Sequence, residues 1–158
     1  AGRGAIVVAG HAGNWELGGA TIAAHGFPLV AVARHMGNPL FERYLTRVRE
    51  ASGLEIVFDD QAVRAVPRAF RSGAFIGLLA DQGVLGLAST FVPFFGRLAK
   101  TPRGPAVFAL RYGVPVLFAI CVRDERKRPR LLVVPMPVEV TGDREADTDR
   151  FVADYSRR

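Results

Sequence analysis

The stretch from residue 5 to residue 20, AIVVAGHAGNWELGGA, constrains the fold of this chain more than any other. A short apolar run rich in Ile and Val ends at the small residues 10–14, and helix-forming residues follow from Trp15. This pattern predicts a strand, a tight turn and a helix. In α/β proteins the carboxyl end of such a strand presents side chains to a ligand-binding crevice, so we expect a site at this turn.

His11 and Glu16 stand five positions apart across the predicted turn. On a continuous helix their side chains would point roughly 140° away from each other, so they can meet only if the turn intervenes. With Asn14 as N-cap, Glu16 falls in the first helical turn, where a carboxylate is favoured. We predict that Glu16 accepts a hydrogen bond from one imidazole nitrogen and leaves the other as a general base. From spacing alone, a surface histidine and an ordinary capping glutamate stay open as the alternative.

The rest of the chain alternates apolar runs with helical patterns. Strands are predicted at 28–34, 54–58, 74–80 and 114–122, and helices are predicted to open at Asn38-Pro39, Asp59-Asp60 and Thr101-Pro102. This alternation predicts the α/β class, with a mostly parallel sheet covered by helices on both faces. Residues 131–140 follow a short charged turn and contain two prolines, which predicts an antiparallel edge strand. We expect a final helix near Asp147 and, over residues 83–99, a functional loop with one extended piece near 91–93.

Polar residues follow three of the predicted strands. His11 follows the first strand, Arg34 and His35 close the second, and Asp81 with Gln82 follows 74–80. The carboxyl ends of parallel strands share one edge of a sheet, so we expect Arg34 and His35 to lie beside His11. Most α/β enzymes show such a convergence, which locates a site without naming a reaction.

Composition limits the kinds of protein this chain resembles. Its 158 residues suit a single domain spanning 1–158, and no apolar run is long enough to cross a bilayer. The formal net charge of +6 indicates acidic partners, such as nucleic acid, anionic lipid or a phosphorylated substrate. Cys121 is the single cysteine, so no internal disulfide can form, and the three histidines show no metal-ligand spacing. The chain opens beside a strand and stops within a helical pattern, so we interpret it as an excerpt of a longer protein.

The string HAGNWE resembles the His-x4-Asp/Glu signature of glycerolipid acyltransferases, and its wording is most similar to the lipid A biosynthesis (lauroyl/myristoyl) acyltransferase branch. The likeness continues through 32–53, LLADQ at 78–82 and the block at 92–116. Two features of that family, a membrane-associated N-terminal segment and a Trp-rich C-terminal stretch, fall outside this sequence. The resemblance implies a glycerolipid acyltransferase-like fold.

The resemblance also implies a reaction. A fatty acyl group would pass from a thioester of acyl carrier protein or CoA to a hydroxyl of a lipid A precursor or similar glycolipid. His11 would take the hydroxyl proton and Glu16 would orient His11, with no covalent intermediate and no cofactor. The absence of a G-x-S-x-G context around any serine agrees with direct transfer.

The substrate-binding residues expected on this basis share the predicted site edge, the second helix or the 92–116 block. They are Asn14, Trp15, Arg34, His35, Arg49, Asp81, Gln82, Phe95, Gly96 and Arg97, with Lys100 and Arg103 as further phosphate ligands. Plainer interpretations stay open: Asp81 capping the next turn, arginines that only keep the surface soluble, and Phe91, Phe94 and Phe95 forming a core under a loop.

The predicted location is the cytoplasmic face of the bacterial inner membrane, with an anionic membrane surface as a partner. Another acceptor within the same family, a phosphatidylinositol mannoside or an ornithine or glycine lipid, is the first alternative. A non-catalytic anionic-lipid-binding module is the second, although it would not need the pair of His11 and Glu16. Nucleic acid is not an expected partner, because no recognisable binding module is present.

Overall fold

The computed structural model describes residues 4–83 and 86–158. In chain order its elements are β1 (Ala5–Ala9), α1 (Trp15–Ala24), β2 (Leu29–Ala33), α2 (Pro39–Ala51), β3 (Leu54–Phe58), α3 (Ala62–Arg71), β4 (Phe75–Leu79), β5 (Ser89–Phe94), β6 (Arg97–Pro102), α4 (Gly104–Tyr112), β7 (Val116–Arg123), β8 (Pro129–Met136) and α5 (Arg144–Ser156).

Six strands form one sheet in the order β3-β2-β4-β1-β7-β8. The first five run parallel, and β8 pairs antiparallel with β7 at the edge. The predicted α/β class, with a mostly parallel sheet and an antiparallel edge strand, is therefore confirmed. The continuously apolar strands follow from this arrangement, because parallel strands covered by helices are buried on both faces.

The order of the strands decides which residues meet at the site edge. β1 pairs with β4 in register from Ala5 and Phe75 to Ala9 and Leu79, and the Ala80 N–H donates to the Ala9 carbonyl at 2.9 Å. The first residues beyond these two strands therefore lie side by side. β4 also separates β1 from β2, so the strand before Arg34 and His35 is not adjacent to the strand before His11. The prediction that Arg34 and His35 lie beside His11 is therefore wrong.

Two kinds of packing cover the sheet. Ile6, Val8 and Ile76 share a buried core with apolar residues of α3, α4 and α5. α1 approaches the strands through small residues: a Cβ added at Gly19 would lie 3.1 Å from Leu54 Cδ2, and one at Gly18 would lie 3.3 Å from Cys121 Cβ. Glycine at these positions lets the helix that follows His11 sit close to the sheet.

The region predicted as a functional loop is a β-hairpin, apart from residues 84 and 85, which lie outside the described residues. β5 and β6 pair antiparallel from Ser89 and Pro102 to Phe94 and Arg97. Thr101 and Pro102, predicted to open a helix, end β6 instead, and α4 begins at Gly104. Thr101 is 6% exposed and pairs with Thr90, so its strand pairing overrides the local cap-and-proline signal.

Two other local predictions differ from the structure. Asp59-Asp60 does not cap α3, whose N-cap is Gln61 without a side-chain hydrogen bond, and α3 continues through Pro67. α5 begins at Arg144, three residues before the predicted Asp147. The apolar stripe of α2 is largely exposed, with accessible fractions of 68% for Leu40, 52% for Phe41, 64% for Tyr44 and 44% for Val48. None of the helices in the described ranges has the length and apolar character needed to cross a bilayer.

Candidate active site

His11 and Asp81 form the centre of the candidate site. The His11 backbone N–H donates to Asp81 Oδ2 at 2.8 Å, and His11 Nδ1 lies 2.7 Å from Asp81 Oδ1. Both side chains are partly exposed, 32% for His11 and 43% for Asp81. The register of β1 and β4 causes this meeting, since each residue comes two positions after the last paired residue of its strand.

This contact assigns the tautomer of His11. A carboxylate oxygen can only accept a hydrogen bond, so Nδ1 carries the proton and Nε2 has a free lone pair in the neutral imidazole. Nε2 makes no hydrogen bond to any residue in 4–83 or 86–158. The Trp15 ring stands edge-on to the imidazole, with centroids 5.0 Å apart. The imidazole therefore contacts Asp81 and Trp15, and Nε2 is left without a hydrogen-bond partner among the described residues.

The turn that carries His11 is anchored to β7. The Asn14 N–H donates to the Cys121 carbonyl at 2.9 Å, and Asn14 Oδ1 accepts from the Leu17 N–H at 3.0 Å, which confirms Asn14 as the N-cap of α1. Gly13 has a φ of +70°, and a Cβ there would lie 2.1 Å from the Cys121 carbonyl oxygen. Only glycine fits this close approach.

Glu16 has a partner other than the predicted one. Its carboxylate accepts from Arg49 Nη2 at 2.5 Å and from Arg49 Nε at 3.0 and 3.2 Å. The predicted hydrogen bond between Glu16 and His11 is absent from the described residues, because Asp81 occupies Nδ1 and Glu16 turns to the last turn of α2. The Arg49 side chain is 18% exposed, which makes this a partly buried bidentate ion pair.

A pocket of about 250 Å³ opens between α1 and α2 next to this ion pair. Its walls combine the charged pair with apolar or small side chains, among them Leu17, Ala20, Val48 and Leu54. The pocket therefore places an apolar wall beside the ion pair. Asn14, the N-cap of α1, also lines it.

Arg34 and His35 lie at the end of β2 and bind acidic side chains there. Arg34 Nε is 3.3 Å from Asp59 Oδ2. His35 Nδ1 is 3.1 Å from Glu42 Oε2, and the His35 ring stacks on Phe58 with centroids 4.1 Å apart. The Met36 N–H, and secondarily His35, hold the pKa of Glu42 below its ordinary value, with burial opposing the shift. His35 thus has structural partners that account for its position.

The remaining predicted ligands are spread over the loop after β4 and the β5–β6 hairpin. Gln82 follows Asp81 and is exposed. Phe95 and Gly96 form the hairpin turn, and Arg97 opens β6 opposite Phe94. Arg103, expected to bind phosphate, donates from Nη2 to Glu145 at 2.7 Å and to Asp149 at 3.1 Å. It therefore joins α4 to α5.

The arrangement suits proton transfer to and from a hydroxyl group. An oriented imidazole whose protonated nitrogen faces a carboxylate is the pair that general-base catalysis uses, because the carboxylate stabilises the imidazolium that forms. The sequence pattern placed Asp81 at the same edge of the sheet as His11 but did not identify it as the partner of His11. The missing information was that β4 pairs with β1, which no local pattern encodes.

Comparison with known proteins gives a consistent set of relatives. The model of the bacterial lipid A biosynthesis acyltransferase family matches residues 1–154. The phosphatidylinositol mannoside acyltransferase of Mycolicibacterium smegmatis is 28% identical over 164 residues, covering 99% of this chain and 53% of the relative. The protein of the same name from Mycobacterium tuberculosis strain H37Rv is 27% identical over 126 residues, covering 77% of this chain and 39% of the relative. The chain thus spans about half or less of the length of these relatives.

Proposed function

The chain belongs to the bacterial lipid A biosynthesis acyltransferase family, and from this premise we propose that it carries the catalytic centre for transfer of a fatty acyl group from a thioester to a hydroxyl of a glycolipid. The observation that carries the proposal is the pair of His11 and Asp81, in which Nδ1 lies 2.7 Å from a carboxylate oxygen and Nε2 has no hydrogen-bond partner among the described residues. A module that only binds lipid has no use for an oriented imidazole.

The reaction needs one base and no covalent intermediate on the protein. His11 Nε2 accepts the proton of the acceptor hydroxyl as its oxygen forms a bond to the thioester carbonyl carbon. The C–S bond then breaks, and the imidazolium returns its proton to the departing thiolate. The products are an ester and a free thiol. Asp81 holds the Nδ1 proton in place and stabilises the positive imidazolium between the two transfers.

Glu16 and Arg49 have a positioning role in this proposal. Their ion pair joins the first turn of α1 to the last turn of α2, so it fixes the helix that begins four residues after His11. Arg49 donates to Glu16 from Nε and Nη2, so Nη1 is the donor left beside the pocket for a phosphate oxygen of the substrate. The apolar wall of that pocket suits part of an acyl chain.

Two acceptors are proposed for the hydroxyl. The family description favours a lipid A precursor. The names of the two mycobacterial relatives favour a phosphatidylinositol mannoside. Both acceptors combine sugar hydroxyls with a phosphate, and the donor in either case is a fatty acyl thioester of acyl carrier protein or CoA. We extend the proposal to location: the protein would work at the cytoplasmic face of the inner membrane, where such acceptors reside.

The test is a transfer assay on the full-length protein. Purified protein is incubated with acyl-CoA or acyl carrier protein thioester and, separately, with each detergent-dispersed acceptor, and the products are identified by mass spectrometry. One acceptor should gain the mass of one acyl chain. His11→Ala should reduce turnover by about 10²-fold to 10⁴-fold, the usual effect of a lost acid–base group. Full activity of a folded His11→Ala variant would refute the proposed base, and no product with either acceptor would refute both proposed substrates.

A further inference from the structure

The tip of the β5–β6 hairpin is the most exposed apolar feature in the described chain. Phe95 is 93% exposed, Leu98 70%, Phe91 63% and Phe94 51%. We refer to these four residues as the hairpin tip. Val92, between Phe91 and Phe94 in β5, is 3% exposed and packs in the core, so it fixes the hairpin to the rest of the fold while the four apolar side chains stay uncovered.

The turn itself contains a residue that folding does not favour. Phe95 and Gly96 both have positive φ, +48° and +77°. Asparagine, aspartate and glycine adopt such a turn readily, whereas a bulky aromatic residue at positive φ is strained. The Phe94 and Phe95 rings contact each other edge-on, with their centroids 4.7 Å apart. A strained and exposed aromatic residue adds nothing to the core, and strain kept in this way indicates a function outside the fold.

The charge on the hairpin is of one sign. Residues 89–102 contain Arg97 and Lys100 and no acidic residue. Arg97 is exposed and directly opposite Phe94 across the hairpin. Apolar tip residues next to cations are the pattern by which a protein surface enters an anionic membrane: the rings reach the acyl boundary and the cations bind lipid phosphates.

The hairpin is also close to the candidate active site. A Cβ added at Gly83, two residues after Asp81, would lie 2.5 Å from the Lys100 carbonyl oxygen, so the loop that carries Asp81 touches β6. The β5–β6 hairpin is therefore packed against the loop that carries Asp81.

From these observations we propose that the β5–β6 hairpin is a membrane-docking element, whose tip inserts into the interface of an anionic bilayer beside the pair of His11 and Asp81. The proposal rests on the proposed function for its biological reason, namely that the acceptor is a lipid. Its test needs no substrate, so each can fail without the other. The His11→Ala variant should bind vesicles as the unmodified protein does while it loses transfer.

The first experiment measures co-sedimentation of the full-length protein with vesicles of equal parts phosphatidylcholine and phosphatidylglycerol. Phe95→Asn replaces the strained aromatic residue with one suited to positive φ, so its melting temperature should not fall. Its vesicle partition coefficient should fall by about tenfold, since a ring of this size leaves the interface. Unchanged partitioning of Phe95→Asn, or no vesicle binding by the unmodified protein, would overturn the proposal.

A matched pair of variants separates the hairpin from general surface hydrophobicity. Leu98→Ser and Val63→Ser each remove an aliphatic side chain of nearly equal exposure, 70% and 68%, the first from β6 and the second from α3. Only Leu98→Ser should weaken vesicle binding. Likewise Arg97→Gln should reduce the preference for anionic vesicles and its salt dependence more than Arg64→Gln on α3. Equal effects within either pair would contradict docking through the hairpin.

A probe at the tip distinguishes a membrane from another occupant. Phe95→Cys is labelled with an environment-sensitive dye, and the native Cys121 is only 4% exposed, so the label should attach to the introduced thiol. The emission should be that of a water-exposed dye in buffer and shift to the blue when the mixed vesicles are added. A blue-shifted emission already present in buffer would mean that another segment or a second copy covers the tip, and it would refute membrane docking.

Discussion

Both oxygens of the Asp81 carboxylate contact His11, one at the backbone N–H and the other at Nδ1, at 2.8 and 2.7 Å. One side chain thus fixes the position of the turn and the tautomer of the imidazole. The neutral form of His11 is left with its lone pair on Nε2, which is the state a general base requires. The carboxylate that completes this unit comes from the loop after β4, seventy residues away in sequence.

Replacing Asp81 should damage chemistry more than stability. Asp81→Asn retains an acceptor for one of the two hydrogen bonds but loses the charge that stabilises the imidazolium. We expect kcat to fall by about 10²-fold to 10⁴-fold, with little change in the melting temperature because Asp81 is substantially exposed. Steady-state kinetics and thermal unfolding test this. Asp59→Asn, which removes the carboxylate facing Arg34 on the neighbouring strand, is the control. Near-normal turnover of Asp81→Asn would contradict the role given to the pair.

Gly13 should be intolerant of a side chain. An added Cβ would lie 2.1 Å from the Cys121 carbonyl oxygen, and φ is +70°, so Gly13→Ala must displace the turn next to His11. We expect a loss of about 1–3 kcal/mol in the free energy of unfolding, together with reduced kcat. Gly37→Ala is the control, since no atom lies within 4 Å of its added Cβ. Chemical denaturation measures the free energy of unfolding of both variants. Equal stability of the two variants would show that the contact with Cys121 does not constrain the turn.

The sequence predicts the elements of this fold better than their arrangement. Apolar runs and glycine boundaries located the five parallel strands, because burial on both faces leaves a strong local pattern. The edge strand, predicted at 131–140, is β8 at Pro129–Met136 and is mostly exposed. Only the extended piece near 91–93, which lies in β5, was predicted from the β5–β6 hairpin. Its pairing with β6 was not predicted, because the residues show little alternation and the turn uses Phe95 where asparagine is usual. The exposure of the apolar face of α2 could not be predicted either, because helical periodicity reveals an apolar face but not whether anything covers it.

The candidate site divides along the same line. His11, Asn14 and Trp15 share one continuous segment, so local reasoning placed them correctly relative to one another. The partners of His11 and Glu16 come from other segments and were not predicted: Asp81 follows β4, and Arg49 lies in α2. A side chain can reach several neighbours within one turn, and the choice among them depends on which strands pair.

The stability of the protein should fall in acid partly through Asp147. The Thr141 hydroxyl, with further donors from the Thr141 and Gly142 backbone and from Arg150, lowers its pKa below the ordinary value of 3.8, against an opposing effect of burial. A lowered pKa in the folded state stabilises the protein above the unfolded-state value and is lost as the pH falls through the folded value. The melting temperature should therefore decline below about pH 4.

Asp147→Asn tests this acid dependence. The variant should melt at a lower temperature than the unmodified protein at neutral pH and show a smaller further decline in acid. Asp154→Asn, on the same helix but with a side chain 39% exposed, should follow the unmodified protein closely. If Asp147→Asn kept the full acid-induced decline, the hydrogen bonds from Thr141 would not contribute to it.

The ion pair of Glu16 and Arg49 gives the sharpest distinction between the predicted and the observed partner of Glu16. Arg49 donates from both Nε and Nη2, a geometry that lysine cannot reproduce, so Arg49→Lys should lower kcat by about tenfold. Arg47→Lys exchanges an arginine two residues earlier on α2 and should leave kcat unchanged. If Glu16 acts through Arg49, Glu16→Gln combined with Arg49→Lys should cost little more than the worse single change. Glu16→Gln combined with Asp81→Asn should instead multiply the two losses, because these residues do not contact each other. The reverse pattern, coupling to Asp81 and independence from Arg49, would favour direct pairing of Glu16 with His11 during catalysis.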